Sequence, residues 1–213
     1  MHAKLVRAAV WTACTVACAL GVQERAILQA EEPAETIRQQ LQSVGAFERI
    51  VVDTDPPLQL AELVGRADLV IEASAAPAQP YVSEAGTDIF TDYAFTVHAV
   101  IKNRRSPGLR AGATLTVRRE SGSVVIDDRK AVVVENAFPP FDSGEPYFLF
   151  LARSSEQVYS VVGGAHGVYA VNGAADAVAS LGAVPLPDAD GQPVKVSRAA
   201  FVGEVRALLK FAN

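Results

Sequence analysis

The chain has 213 residues, half of them hydrophobic and a fifth charged, with a formal net charge of −5. That length and apolar content exclude a disordered chain and suit one domain of ordinary size with its own core. Without residues 1–30 the chain keeps 16 basic and 23 acidic residues, a net charge of −7, which on average repels a phosphate backbone.

Residues 1–30 read as an export signal. Lys4 and Arg7 precede an uncharged apolar run from Ala8 to Val22. Small-x-small sites follow near Ala17–Ala19 or at Leu28-Gln29-Ala30. The run is shorter than the roughly 20 residues a spanning helix needs. Cleavage predicts a secreted or periplasmic protein with no membrane attachment afterwards. Two alternatives stay open, an uncleaved anchor and a lipoprotein. Cys14 and Cys18 each follow a small residue, but neither has a leucine three positions earlier. Both cysteines of the chain lie in this segment, so the exported body has no disulfide, thiol nucleophile or cysteine metal ligand.

Residues 31–57 read as a leader or linker. Ile37 and Leu41 are spaced for a short helix, Phe47 to Val52 is mildly strand-like, and Pro56-Pro57 breaks the chain. Residues 58–213 read as a single β-barrel domain. Leu58–Arg66 predicts a short helix with Leu60, Leu63 and Val64 on one face. Leu69–Ala73 is a strong strand, and Ala75–Ala85, rich in Ala, Pro and Ser, reads as a loop.

Phe90–Lys102 is the clearest alternating stretch. Tyr93, Phe95, Val97, Ala99 and Ile101 fall on one face, Thr96, His98 and Lys102 on the other. Asn103–Gly108 is a turn, and Ala113–Arg119 alternates again with Leu115 and Val117 inward. Val124–Ile126 and Ala131–Glu135 predict a hairpin around Asp127-Asp128. Asn136–Ser143 is a second double-proline loop.

Tyr147-Phe148-Leu149-Phe150-Leu151 is an unbroken apolar run. It is too short for a membrane span and predicts a strand buried on both faces. Val158–Val162 and Gly167–Val171 predict two more strands, and Ala174–Gly182 is ambiguous. Leu186–Val196 reads as a loop or minor hairpin. Ser197 is placed to cap a last helix whose apolar face carries Phe201, Val205, Leu208 and Leu209. The fold class is mostly all-β: a small antiparallel OB-like barrel of seven or eight strands, with a short N-terminal helix and a closing C-terminal helix.

The order of these features resembles a group of exported bacterial proteins of unknown function. It is carried by Ala67–Ile71, Tyr93–Val97, Val100–Lys102, Gly112–Val117, Gly144–Leu151 and Val161–Gly164. The group's domain looks like the OB-type barrel of tissue inhibitors of metalloproteinases and netrin modules. Asn103, Pro146 and Phe148 depart from the group's motifs. The resemblance covers about Leu58 to Val171 and implies a fold. It implies no inhibitory residue, because the cysteines such inhibitors use are missing from the exported body.

No residue set announces catalysis, and no cofactor is expected. No G-x-S-x-G elbow is present. His98 and His166 are the only histidines outside residues 1–30, and no second histidine stands at a ligand spacing, which argues against a metal site. Gly163–Gly167 lacks the ending of a phosphate loop. Asp53/Asp55 and Asp188/Asp190 have calcium-like spacing without the later glutamate of an EF-hand, and Asp-rich turns are common for backbone reasons alone.

The candidate binding residues are Lys102, Arg104 and Arg105 in the one basic cluster, which also holds Arg110 and has Arg118 and Arg119 nearby; Phe138 and Phe141 in the double-proline loop; and His166 in the Gly-rich turn. No aromatics for base stacking interleave with the cluster, so nucleic acid is not the expected partner. An anionic surface polymer or a protein is. Phe138 and Phe141 suit either an exposed contact or a plug over the barrel end, with burial of aromatics favouring the plug. The expected function is an exported, non-enzymatic binding or interaction module of the bacterial cell envelope or exterior. The alternatives are a membrane-tethered envelope protein, and a hydrolase with a site assembled from scattered Asp, Glu, Ser and His.

Overall fold

The computed structural model describes residues 35–52, 56–173, 176–182 and 196–211. Residues 1–30, expected to be an export signal, and Asp53/Asp55 and Asp188/Asp190 lie outside them. The described residues from Thr36 onward belong to one compact unit. No described helix is long and apolar enough to cross a membrane.

The centre of the fold is β8 (Pro146–Arg153), the apolar run. Alternation sends Tyr147, Leu149 and Leu151 into one core cluster and Phe148 and Phe150 into another. Beside it lies β2 (Leu69–Ala75), also covered on both faces. Around these run β4 (Ile89–Asn103), β5 (Thr114–Arg119) and β9 (Val158–Val161). Hydrogen bonding proceeds β2-β4-β5-β9-β8 and returns to β2, a closed five-strand barrel. Numbered along the chain, that ring is 1-2-3-5-4-1, and the third and fifth strands pair in parallel. The barrel is OB-like.

Further strands extend this sheet. β3 (Pro80–Val82) adds to β4 at an edge, inside the stretch expected to be a loop. Its first residue is a proline, tolerated at the start of an edge strand. β10 (Val168–Asn172), β11 (Ala177–Ser180) and β12 (Val196–Ser197) continue from β8. A separate three-stranded sheet contains β1 (Phe47–Val51), β7 (Arg129–Glu135) and β6 (Gly122–Ile126), with β1 parallel to β7. The expected β6–β7 hairpin is present, and both Asp127 and Asp128 have positive φ, as its tight turn requires. The described residues therefore carry twelve strands, of which five close the barrel.

Three helices cover this framework. α1 (Ile37–Val44) starts in a capping box between Thr36 and Gln39 and packs Ile37 and Leu41 against Ile89, Ala131 and Val133. The 31–57 stretch thus contributes α1 and β1 to the folded unit. The small sheet's other face leaves Ile50, Val125 and Val134 in solvent. α2 (Leu60–Arg66) and α3 (Arg198–Phe211) pack together over the outer side of β2, β8 and β10. Ser197 accepts from the amide of Ala200, and Phe201 and Val205 are buried as their spacing predicts.

The alternation of β4 does not hold to its end. Two register shifts against β2 pair Ala73 with Val97 but Glu72 with Ala99, and Ile71 with Val100 but Val70 with Lys102. Each bulge inserts a residue and changes which side chains face inward. Val100, not Ala99, therefore packs on the barrel interior, Ile101 joins the outer helical cluster, and Lys102 is buried.

Candidate ligand-binding face

The second and third barrel strands, β4 and β5, present one outer face, and β3 widens it. Before the bulges, strict alternation puts Phe90, Asp92, Ala94 and Thr96 outward. The register sets Asp92 opposite Arg118, Ala94 opposite Thr116 and Thr96 opposite Thr114. On the other side, Tyr81 of β3 stands opposite Phe90.

Four of these side chains form one assembly. Arg118 donates from Nε and Nη2 to the two carboxylate oxygens of Asp92, both at 2.8 Å. The hydroxyl of Tyr81 donates to Asp92 Oδ2 at 3.1 Å. The Arg118 guanidinium lies 5.4 Å from the Phe90 ring centroid and 5.8 Å from that of Tyr81. The two rings are 6.3 Å apart and tilted by 49°. The Arg118 and Asp92 side chains are 40% and 29% exposed, so the assembly is open to solvent.

Its charge state follows from these contacts. The hydrogen bonds from Arg118 hold the Asp92 carboxyl below the usual carboxylate range, and Tyr81 adds to this. Partial burial and the bond to Asp92 raise the Tyr81 phenol. Asp92 raises the Arg118 guanidinium in turn. At neutral pH the platform is two aromatic rings beside a fixed ion pair with no net charge. It offers apolar faces, donors and acceptors held at set distances.

The basic cluster expected from the sequence is dispersed. Lys102 is buried, and its ammonium donates to the carbonyls of Val64 and Ala67 at the end of α2. A cation there satisfies carbonyls that the helix leaves open. Burial pulls its pKa down. Arg118 belongs to the platform and Arg119 is buried elsewhere. Arg104 and Arg105 remain on the exposed turn, with Arg105 paired to Asp68 at 3.2 Å. Arg153, distant in sequence, joins them by donating to the carbonyls of Arg105, Ser155 and Glu156. This end of the barrel holds an open groove of about 480 Å³.

Phe138 and Phe141 form a plug. Both are buried in the barrel cluster. Phe141 meets Tyr93, Phe95, Phe138 and Tyr147 in edge-to-face contacts, with centroids 4.9 to 5.6 Å apart. The Arg119 guanidinium stacks on Phe138, donates to the carbonyls of Phe138 and Pro139, and pairs with Glu135 at 3.0 Å. The Tyr147 hydroxyl accepts from the Asp142 amide at 2.9 Å.

His166 sits half-buried in a single 3-10 turn, Gly164–Gly167. Its Nδ1 is shielded and has no hydrogen-bond partner among the described residues. A Cβ on Gly182 would stand 2.3 Å from that nitrogen, so Gly182 is what lets the two segments close. His98 is exposed on β4 at the first bulge. Among the described residues no three His, Cys, Asp or Glu side chains converge as a metal centre would require. Two larger hollows lie elsewhere. One of about 520 Å³ runs between α3 and β4, where Arg198 pairs with the buried Glu72 at 2.7 Å. The other, of about 1020 Å³, lies between the double-proline loop and β10–β11.

Sequence reasoning missed Tyr81, Phe90 and Asp92 as site residues and counted Arg118 with the basic turn. The available signal was the polar side of the Phe90–Lys102 alternation, which begins with an aromatic and a carboxylate. Comparison with known proteins gives no assignment: no protein-family profile matches the chain, and no curated protein matches it.

Proposed function

We propose that this protein is an exported, non-enzymatic binding module of the bacterial cell envelope or exterior, and that it takes its ligand on the outer face of β3, β4 and β5. The observation that carries this reading is the Tyr81–Phe90–Asp92–Arg118 assembly. Burying apolar surface is worth about 25 cal/mol per Å². Two aromatics left partly in solvent forgo part of that gain, while a bidentate ion pair fixes their surroundings. A surface held in this way suits binding, because little is lost in ordering it when a ligand arrives. The strand 2–3 face of an OB-type barrel is also where such barrels bind oligomers. Export rests on the charged start and apolar run of residues 1–30.

The test is capture of the protein, without residues 1–30, by the envelope fraction of its native host. Wild type is expected to be retained. Tyr81→Ala and the double variant Tyr81→Ala/Phe90→Ala are expected to be lost to the supernatant with unchanged circular dichroism. Equal retention of wild type and both variants would remove this face from the function.

A further inference from the structure

We infer that the ligand of this face is a neutral polysaccharide, its sugar rings stacked on Tyr81 and Phe90 and its hydroxyls bonded to Asp92 and Arg118; this rests on the reading of β3–β5 as the binding face. A pyranose ring is apolar across its C–H faces and carries hydroxyls around its rim, each both donor and acceptor. The platform matches that pattern. The tilted Tyr81 and Phe90 rings offer apolar faces, and beside them Asp92 accepts and Arg118 donates. A carboxylate has about four acceptor positions, of which three are taken by Arg118 and Tyr81.

The rest of the face continues the match. Thr96, Thr114 and Thr116 line it beyond Asp92, and the small side chain of Ala94 leaves room between them. From Phe90 to Thr96 the strand runs about 20 Å, enough for several sugar units.

Charge decides between polymers. Asp92 and Arg118 cancel, so the platform offers a polyanion no net attraction. The −7 of residues 31–213 opposes one further. Of the basic turn that would have drawn an anionic polymer, Lys102 is buried on α2, Arg118 and Arg119 are paired with carboxylates, and Arg104 and Arg105 follow the end of β4 opposite to Phe90, where Arg105 pairs with Asp68. A neutral polymer needs none of them. Its binding should therefore change little with ionic strength.

The test uses the same host envelope fraction in three portions, untreated, oxidised with periodate to cleave vicinal diols, and digested with protease. Capture is expected to survive the protease and added salt, to be lost after periodate, and to weaken at least about tenfold in Tyr81→Ala. Asp92→Asn/Arg118→Gln, a double variant that keeps both rings, is expected to weaken it as well. Tyr81-dependent capture that survives periodate but not protease would mean a protein partner. Tyr81-dependent capture lost to added salt would mean an anionic polymer. Either result overturns the inference and leaves the face as the binding surface. Capture indifferent to Tyr81→Ala would overturn the face itself.

Discussion

The guanidinium of Arg119 lies 3.4 Å from the centroid of the Phe138 ring while donating to that residue's own carbonyl. One side chain thus stacks on the plug, bonds its backbone and meets the carboxylate of Glu135. With 2% of its side chain exposed, it does so away from water. Burial pushes its pKa down while Glu135 pushes it up. Arg119→Met should cost about 3–5 kcal/mol, because removing one partner strands the others. Arg119→Lys should recover little, since an ammonium has no planar fork for two carbonyls and no flat face for a ring. Urea unfolding measures both. A loss under about 1 kcal/mol would mean that the plug holds without this residue.

Lys102 gives a second stability test with a different cause. Its ammonium satisfies the carbonyls of Val64 and Ala67, which close α2. Lys102→Met keeps much of the stem and removes the donor, leaving two carbonyls to find water. The expected loss is about 2–4 kcal/mol, one desolvation penalty of about 1–3 kcal/mol for each carbonyl less what relaxation recovers. Hydrogen exchange should show the loss first in the amides of Leu60–Arg66.

Two glycines should respond in opposite directions. Gly203 lies inside α3, and a Cβ there meets nothing within 4 Å. Gly203→Ala should stabilise by about 0.5–1 kcal/mol through helix propensity alone. Gly122 has φ +141, and a Cβ there would stand 2.4 Å from Pro80 Cβ and 2.8 Å from Thr91 Oγ1. Gly122→Ala should destabilise by more than Gly203→Ala gains and should loosen β6 from β3. Thermal melts of the two variants side by side check the signs.

Asp92 makes the platform sensitive to acid. Its folded pKa is lowered, chiefly by Arg118, so its stabilising contribution is complete above the ordinary value of about 3.9. The contribution is lost as pH falls through the lowered folded value. The stability gap between wild type and Asp92→Asn should therefore be constant at neutral pH and narrow below about pH 4. Urea midpoints at a series of pH values measure it. A gap that stays level into strong acid would mean that Asp92 is not held ionised by Arg118.

Much of the fold was legible because the barrel strands are pattern-rich. Tyr147–Leu151 fits a strand covered on both sides best, and its two core clusters bear that out. Leu115 and Val117 point inward as their alternation requires. What was not legible depends on pairing. The bulges that bury Lys102 come from the register of β4 against β2, which period-two counting within β4 cannot register. The edge strand β3 exists because Pro80–Val82 meets Ile89–Thr91, not because its own composition favours a strand. The platform follows from the same pairing: Tyr81, Phe90, Asp92 and Arg118 come from three strands. Arg119 counts by sequence near the basic cluster, although its phase with Leu115 and Val117 is inward, where its neighbours in space are Phe138 and Phe141.

The ring closure also fixes when this molecule can finish folding. β2 pairs with β4 soon after both are made, but Leu69 waits for Leu151, and Thr116 for Val158. A chain emerging amino-terminus first, from a ribosome or through a membrane, thus exposes an open edge on β2 until Leu151 emerges and on β5 until Val158 does. Such late, distant pairings slow folding and leave the nascent chain open to sticking. A holding chaperone should therefore matter most for nascent chains that stop short of residue 161, and little once β9 has emerged.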